Sequence, residues 1–200
     1  MARLLLLRHG QIKANRQGRW HGSTDSPLTW RGRRQARRTA RYVAALEPGI
    51  DAIYSSPLVR CRDTAATIGD LLNLNVNVHP HLHEYAIGEW ENMRFSDLAD
   101  RHRFVETATR NPDFAPPGGE TLRQVSDRML PAIEEINGRH SDDVRVLVVG
   151  HGAALAVALG TLLDGDPGLW TRYHFANCSL TELVLSPSPY VNFFNLTQHL

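Results

Sequence analysis

Two stretches decide how this chain is read: LLLLRHGQ, residues 4–11, and VRVLVVGHGAAL, residues 144–155. A short apolar run bounded by glycine has the composition of a strand covered on both faces. Arg8 and His9 are costly to bury unpaired, so they belong at the end of the first strand, where a cleft can hold a partner. The second run ends in Gly150-His151-Gly152. Open parallel sheets bind ligands outside the carboxyl ends of their strands. Two strands therefore each deliver a histidine to the place where a site is expected. One such tripeptide is an ordinary strand end; a pair, each flanked by glycine, points to function.

Outward from these runs, further strands are predicted over 52–55, 179–185 and 190–195. Helical patterns lie between them. Residues 30–46 place Gly32, Ala36, Ala40 and Val43 on one face, with arginines 31, 33, 34, 37, 38 and 41 over the other. That basic run is read as a solvated helix face rather than a nucleic-acid patch. Ser56 and Pro57 have the pattern of an N-cap and first helical residue. Leu58, Cys61, Ala65, Ile68 and Leu72 then supply a buried stripe that ends near Asn73. Residues 95–110 are irregularly helical, 111–119 form a loop, and Thr121 with Gln124 can form a capping box for a helix ending near Gly138. Alternating strands and helices imply a layered α/β fold with a mostly parallel sheet, its polar C-terminal strands adding an antiparallel edge.

Bulk properties narrow the classes. At 200 residues, 42% hydrophobic and 22% charged, the chain is expected to be one globular domain spanning 1–200. A formal net charge of +1 gives no global field favouring nucleic acid or an anionic membrane. Cys61 and Cys178 form no close redox or metal-ligand pair. The leucine run is too short for a signal peptide, and no stretch approaches the length of a membrane span. Without a secretory signal, the glycosylation-like Asn177-Cys178-Ser179 and Asn195-Leu196-Thr197 read as chance. A cytoplasmic location is expected.

Two further elements carry chemistry. Arg60 falls in the first turn of the helix that Ser56 and Pro57 would open, and helical side chains lean back towards the N-terminus. Its guanidinium is thus aimed at the preceding strand's end, where a helix N-terminus already favours anions. HLHEYAIGEWENM, residues 81–93, supplies Glu84, Glu89 and Glu91 as candidate carboxylates. In a strand, His79, His81 and His83 would share one face, a spacing that suits zinc, but no fourth ligand follows.

Taken with NRQGRWHGSTDSPLTWRGRRQA, YSSPLVRCRDTA, LHEYAIGEWENM and PPGGET, the two opening motifs resemble the histidine phosphatase superfamily. That group contains cofactor-dependent phosphoglycerate mutases, fructose-2,6-bisphosphatases and α-ribazole phosphatases. The resemblance implies a three-layer α/β/α sandwich with residues about 94–120 as a lid. It implies His9 as the phosphoryl-accepting nucleophile, with Arg8, Arg60 and His151 as catalytic partners. Those three and Asn15 would bind the phosphate oxygens, and Glu84 would be the acid. No metal and no cofactor are implied, because cationic side chains take the metal's place. The partner is a small phosphorylated substrate. Two departures stand out: Gln11-Ile12 replaces a frequent Glu-Thr, and Asn92 replaces a glycine, although asparagine tolerates a left-handed backbone.

Phosphatase and mutase differ in what receives the phosphoryl group. After the acid glutamate the mutases carry an Arg-His-Tyr run, where this chain has Tyr85-Ala86-Ile87. No Arg-Arg pair occurs in 94–120. The expectation is therefore a phosphomonoester hydrolase, with the mutase as alternative and a non-catalytic phosphate-binding module as a remote one. Substrate-contact candidates are Arg94, Arg101, Arg103, Phe104, Arg110 and Phe114 in the lid region, and Arg16, Trp20 and His21 after the nucleophile.

Overall fold

Successive leucines of strand β1 (Arg3–Arg8) point to opposite sides, and both sides are covered. The computed structural model describes residues 2–141 and 144–200. The remaining strands are β2 (Ala52–Ser55), β3 (Val76–Val78), β4 (Arg145–Gly150), β5 (Leu180–Val184) and β6 (Tyr190–Leu196). They form one six-stranded sheet in the order β3-β2-β4-β1-β5-β6. β1, β2, β3 and β4 pair in parallel, whereas β5 and β6 add an antiparallel edge.

Leu5 and Leu7 join Ile53, Leu147 and Val149 under helices α2 (Trp30–Ala44) and α3 (Val59–Leu72). Leu4 and Leu6 join Val146 and Val148 on the opposite face, under α6 (Leu122–Gly138) and α7 (Gly152–Asp164). This is a three-layer α/β/α sandwich. All four leucines are at most 1% exposed; burial of each contributes roughly 2 kcal/mol. Smaller helices complete the chain: α1 (Lys13–Arg16), α4 (Phe95–Asp100) and α5 (Phe104–Arg110). Among the described residues, no helix is long and apolar enough to cross a membrane.

Local signals held where their partners lie nearby. The Thr121–Gln124 capping box forms, and Asn73 closes α3 in the left-handed region at φ 55°. The start of α3 is a correction. Leu58, not Ser56, is its N-cap, and Val59 rather than Pro57 begins the helix. The Asp25 carboxylate accepts the Val59 N–H at 3.0 and 3.1 Å, while the Ser56 hydroxyl is engaged by His151 at 2.7 Å. A second correction concerns the histidines at 79, 81 and 83. Residues Pro80–Leu82 form a 3-10 turn, so the shared strand face does not exist. The three-residue edge strand β3 and the single turn of α1 carried too little pattern to be foreseen.

The first turn of α2 lies directly against the chain following β1. A Cβ on Gly32 would stand 2.2 Å from the Gln11 carbonyl oxygen, which is backbone and cannot step aside. Replacing an exposed helical glycine by alanine ordinarily gains up to about 1 kcal/mol. Here the sign should reverse: Gly32→Ala should lose about 1–3 kcal/mol in urea unfolding. Gly138→Ala, with open space around its Cβ, should be neutral or stabilising.

Candidate active site

Parallel pairing of β1 with β4 sets Arg8 opposite Gly150, and the His9 N–H donates to the Gly150 carbonyl at 3.0 Å. The residues after each strand end, His9 and His151, therefore meet with ring centroids 5.3 Å apart in an edge-to-face arrangement. His9 is 3% exposed, and its Nδ1 lies 2.8 Å from the Gly10 carbonyl oxygen. A carbonyl can only accept, so Nδ1 carries the hydrogen and Nε2 keeps its lone pair. Burial, followed by the charges of Arg60 and Arg8, holds the His9 pKa well below the ordinary imidazole value. The ring is neutral, with one nucleophilic nitrogen.

His151 is fixed by the same logic. Arg60 Nε donates to His151 Nδ1 at 3.2 Å, so the ring hydrogen is on Nε2 and donates to the Ser56 hydroxyl at 2.7 Å. Burial and the neighbouring Arg60 charge push its pKa well down. Arg60 is fully buried and gives its other nitrogens to the carbonyls of His21, Gly22 and Thr24. That loop is tied from outside by Glu91, whose carboxylate accepts the N–H groups of Gly22, Ser23 and Thr24. Glu91 is thus a loop anchor, and Glu89 is exposed. Asn92 adopts φ 63°, the left-handed conformation that its substitution for glycine had to permit.

Glu84 is the carboxylate that reaches the site. Its Oε1 accepts from Tyr85 N at 2.9 Å and Ala154 N at 2.8 Å, and its Oε2 from Ala153 N at 3.2 Å. Two of these donors belong to the first turn of α7, which follows His151. Arg128 of α6 braces the segment by donating to the carbonyls of His81, His83 and Glu84 while pairing with Glu120 at 2.7 Å. Glu120 in turn accepts the Ala86 N–H at 2.9 Å. Neither Arg128 nor Glu120 was identified from sequence, although Glu120 lies in the PPGGET stretch.

Arg8, His9, Asn15 and Glu84 line one cavity of about 530 Å³. Arg8 donates to the Phe175 carbonyl, and Gly152 makes room for it: a Cβ there would be 3.2 Å from the guanidinium carbon. Arg60 and His151 are entirely buried and are not part of the cavity wall. Asn177, read from sequence as a chance sequon, donates to the His9 carbonyl and to Asn15 Oδ1, both at 3.1 Å.

The outer wall differs from the expected one. Trp20 and His21 line it; Arg16, Arg94, Arg101, Arg103, Phe104, Arg110 and Phe114 do not. Phe104 is core, and Arg101, Arg103 and Arg110 pair with Asp97 or Glu106. Phe95 and Val105 take their place, joined by aromatic residues of 170–175. Those aromatics lie in a segment without strand or helix periodicity, so nothing in their spacing announced them. Among the described residues, no group of three or more His, Cys, Asp or Glu could hold a metal ion.

The model of the histidine phosphatase superfamily, branch 1, matches residues 4–192. The chain belongs to that family. It is 31% identical over 201 residues to a Bacillus subtilis protein described as an uncharacterized phosphatase, PhoE, covering 100% of this chain and 97% of that one. Among solved structures, a mycobacterial glucosyl-3-phosphoglycerate phosphatase in complex with VO3 superposes with TM-score 0.87 at 29% identity, over 98% of this chain and 100% of that chain. An Entamoeba histolytica phosphoserine phosphatase in complex with 3-phosphoglyceric acid gives TM-score 0.87 at 26% identity, over 100% and 99%.

Burial and two adjacent cations oppose the charged imidazole, so protonation of His9 must require a lower pH than that of a free histidine. Nitrogen-15 NMR of the histidine side chains should show His9 neutral at about pH 6.5, where an unperturbed imidazole is half protonated. Arg8→Gln removes one cation and should move that titration upward. A downward shift would mean that the charges do not act as described.

Proposed function

We propose that the protein hydrolyses a small phosphomonoester through a phosphohistidine on His9. The observation that carries this reading is the Nδ1–H of His9 committed to the Gly10 carbonyl, which leaves Nε2 free in a cavity shared with Arg8 and Glu84. Nε2 attacks phosphorus, and the bond to the ester oxygen breaks. Glu84 supplies the proton to that oxygen. Its Oε1 already accepts two backbone N–H groups and Oε2 only one, so Oε2 is the oxygen with room for the proton. Water then attacks the phosphohistidine and gives a proton to Glu84. The N–P bond breaks, releasing phosphate and restoring His9.

Arg8 and Asn15 bind phosphate oxygens from the cavity side. Arg60 and His151 act from outside the cavity wall, Arg60 through its charge and its hold on loop 21–24. Such fixed charges need no reorganisation as negative charge moves in the transition state. The chain acts as one domain, with α4 and α5 as a lid that lends Phe95 and Val105 to the cavity. Its two cysteines are free and buried, which suits a reducing cytoplasm.

Hydrolysis is preferred over isomerisation for a structural reason. At the position of the mutases' cationic run, Tyr85 and Ile87 are fully buried core residues. A bisphosphorylated intermediate has no cation there to retain it. Incubation with 3-phosphoglycerate and a trace of 2,3-bisphosphoglycerate should release phosphate faster than it forms 2-phosphoglycerate; rapid isomerisation with little phosphate would establish the mutase instead.

The role of Glu84 has its own test. In single-turnover phosphorylation, Glu84→Gln should slow alkyl phosphates about 10²–10⁴-fold and p-nitrophenyl phosphate much less, because nitrophenolate leaves without a proton. Equal losses for both would remove Glu84 from the acid role.

A further inference from the structure

Beyond the reacting groups, the cavity has an outer half whose chemistry is lopsided. Trp20, Phe95, Val105, Trp170, Tyr173 and Phe175 supply its wall. Cations are scarce. Arg19 is the only arginine there besides Arg8, and it already donates to the Asn92 carbonyl. His21 has both ring nitrogens engaged, with Ser26 at 2.8 Å and Asn92 at 3.1 Å. Partial burial, followed by the Arg8 charge, holds the His174 pKa below the ordinary imidazole value. The Tyr173 hydroxyl is turned to Asp164 at 2.9 Å, so the phenol offers the cavity its ring. Of the lid arginines, Arg101, Arg103 and Arg110 are paired on the surface with Asp97 or Glu106.

Phe95 is the conspicuous member. It is 45% exposed at the first position of α4, and it stacks on Trp20 with centroids 6.1 Å apart and planes 11° from parallel. An exposed phenyl ring at a cavity rim gains little from its present surroundings. A flat apolar group entering beside it would be desolvated against two aromatic faces. A carboxylate in the same place would exchange water for hydrocarbon, and Arg19 is already engaged by the Asn92 carbonyl. The cavity volume, about 530 Å³, accommodates a ring as well as a phosphate.

We propose that the outer cavity selects phosphomonoesters whose leaving group is uncharged and carries a flat apolar ring, in preference to compact anionic esters, with Phe95 as a specificity-determining residue. This rests on the hydrolase reading above, and it sets the chain apart from the phosphoserine and glucosyl-3-phosphoglycerate phosphatases that it resembles in fold.

The test compares kcat/KM for 2-phenylethyl phosphate, phosphoserine and 3-phosphoglycerate. All three release a primary alkoxide, so leaving-group ability does not decide the order. The phenylethyl ester should exceed each anionic ester by about tenfold or more. Phe95→Ala should lower that ratio about tenfold, and Phe95→Arg should reverse it; the position is surface-exposed, and circular dichroism verifies folding of both variants. Equal or better turnover of phosphoserine or 3-phosphoglycerate overturns the proposal, as does a ratio indifferent to both variants. p-Nitrophenyl phosphate separates the two levels. Its hydrolysis without selectivity among the alkyl esters defeats only the specificity proposal, whereas release of no phosphate from any ester defeats the hydrolase reading and the proposal together.

Discussion

Parallel pairing between the first strand and the strand at 145–150 is the constraint on which the site depends. Registering Arg8 with Gly150 fixes where both chains leave the sheet, and the next residue of each is a histidine. A one-residue slip would turn every leucine of the first strand to the other face. Both faces here are apolar, so hydrophobic alternation alone does not hold the register. Additional hydrogen bonds do so at the strand ends: His9 N to the Gly150 carbonyl at 3.0 Å, and Arg3 N to the Val144 carbonyl at 2.9 Å. Catalytic geometry is thus a by-product of sheet geometry.

Around that junction lies an unusual amount of buried charge. Arg60 is wholly enclosed, and removing a guanidinium from water is costly unless every direction is answered. The answer comes from three carbonyls of loop 21–24 and from His151. These contacts satisfy hydrogen bonds without cancelling the positive charge, which remains to lower the His9 pKa. Glu84 faces the same cavity, its carboxyl oxygens held by the Tyr85 N–H and by backbone donors of the helix that begins after His151. The neutral His9 ring, the buried Arg60 cation and the Glu84 carboxyl are therefore consequences of one interlocked network. Its outer supports, Asp25, Glu91, Glu120 and Arg128, bond neither the His9 ring nor the Glu84 carboxyl oxygens.

The legible part of the site was the part written into single elements. Arg8, His9 and His151 follow from apolar strands that stop at glycine, and Arg60 from the first turn of a helix. What sequence could not show is depth: Arg60 and His151 are completely buried, tied to each other and to loop 21–24. Ser56 failed as a helix cap for a related reason. Ser-Pro is a sound local signal, but Asp25, distant in sequence, takes the cap and frees Ser56 for His151. Trp170 lies in a 3-10 helix, Pro167–Arg172, and Tyr173, Phe175 and Asn177 in the loop that follows, where no periodicity reports burial. Arg101, Arg103 and Arg110 were conspicuous by charge, but they pair with Asp97 or Glu106 at the surface and do not line the cavity.

The central claim is that the free Nε2 of His9 takes the phosphoryl group. Rapid quenching of the wild-type protein with labelled p-nitrophenyl phosphate under non-acidic conditions, followed by peptide mapping, tests it most directly. An acid-labile, base-stable phosphoryl group on His9, absent from His9→Ala, is the predicted result. A label on a serine or aspartate, or turnover retained by His9→Ala, would contradict it.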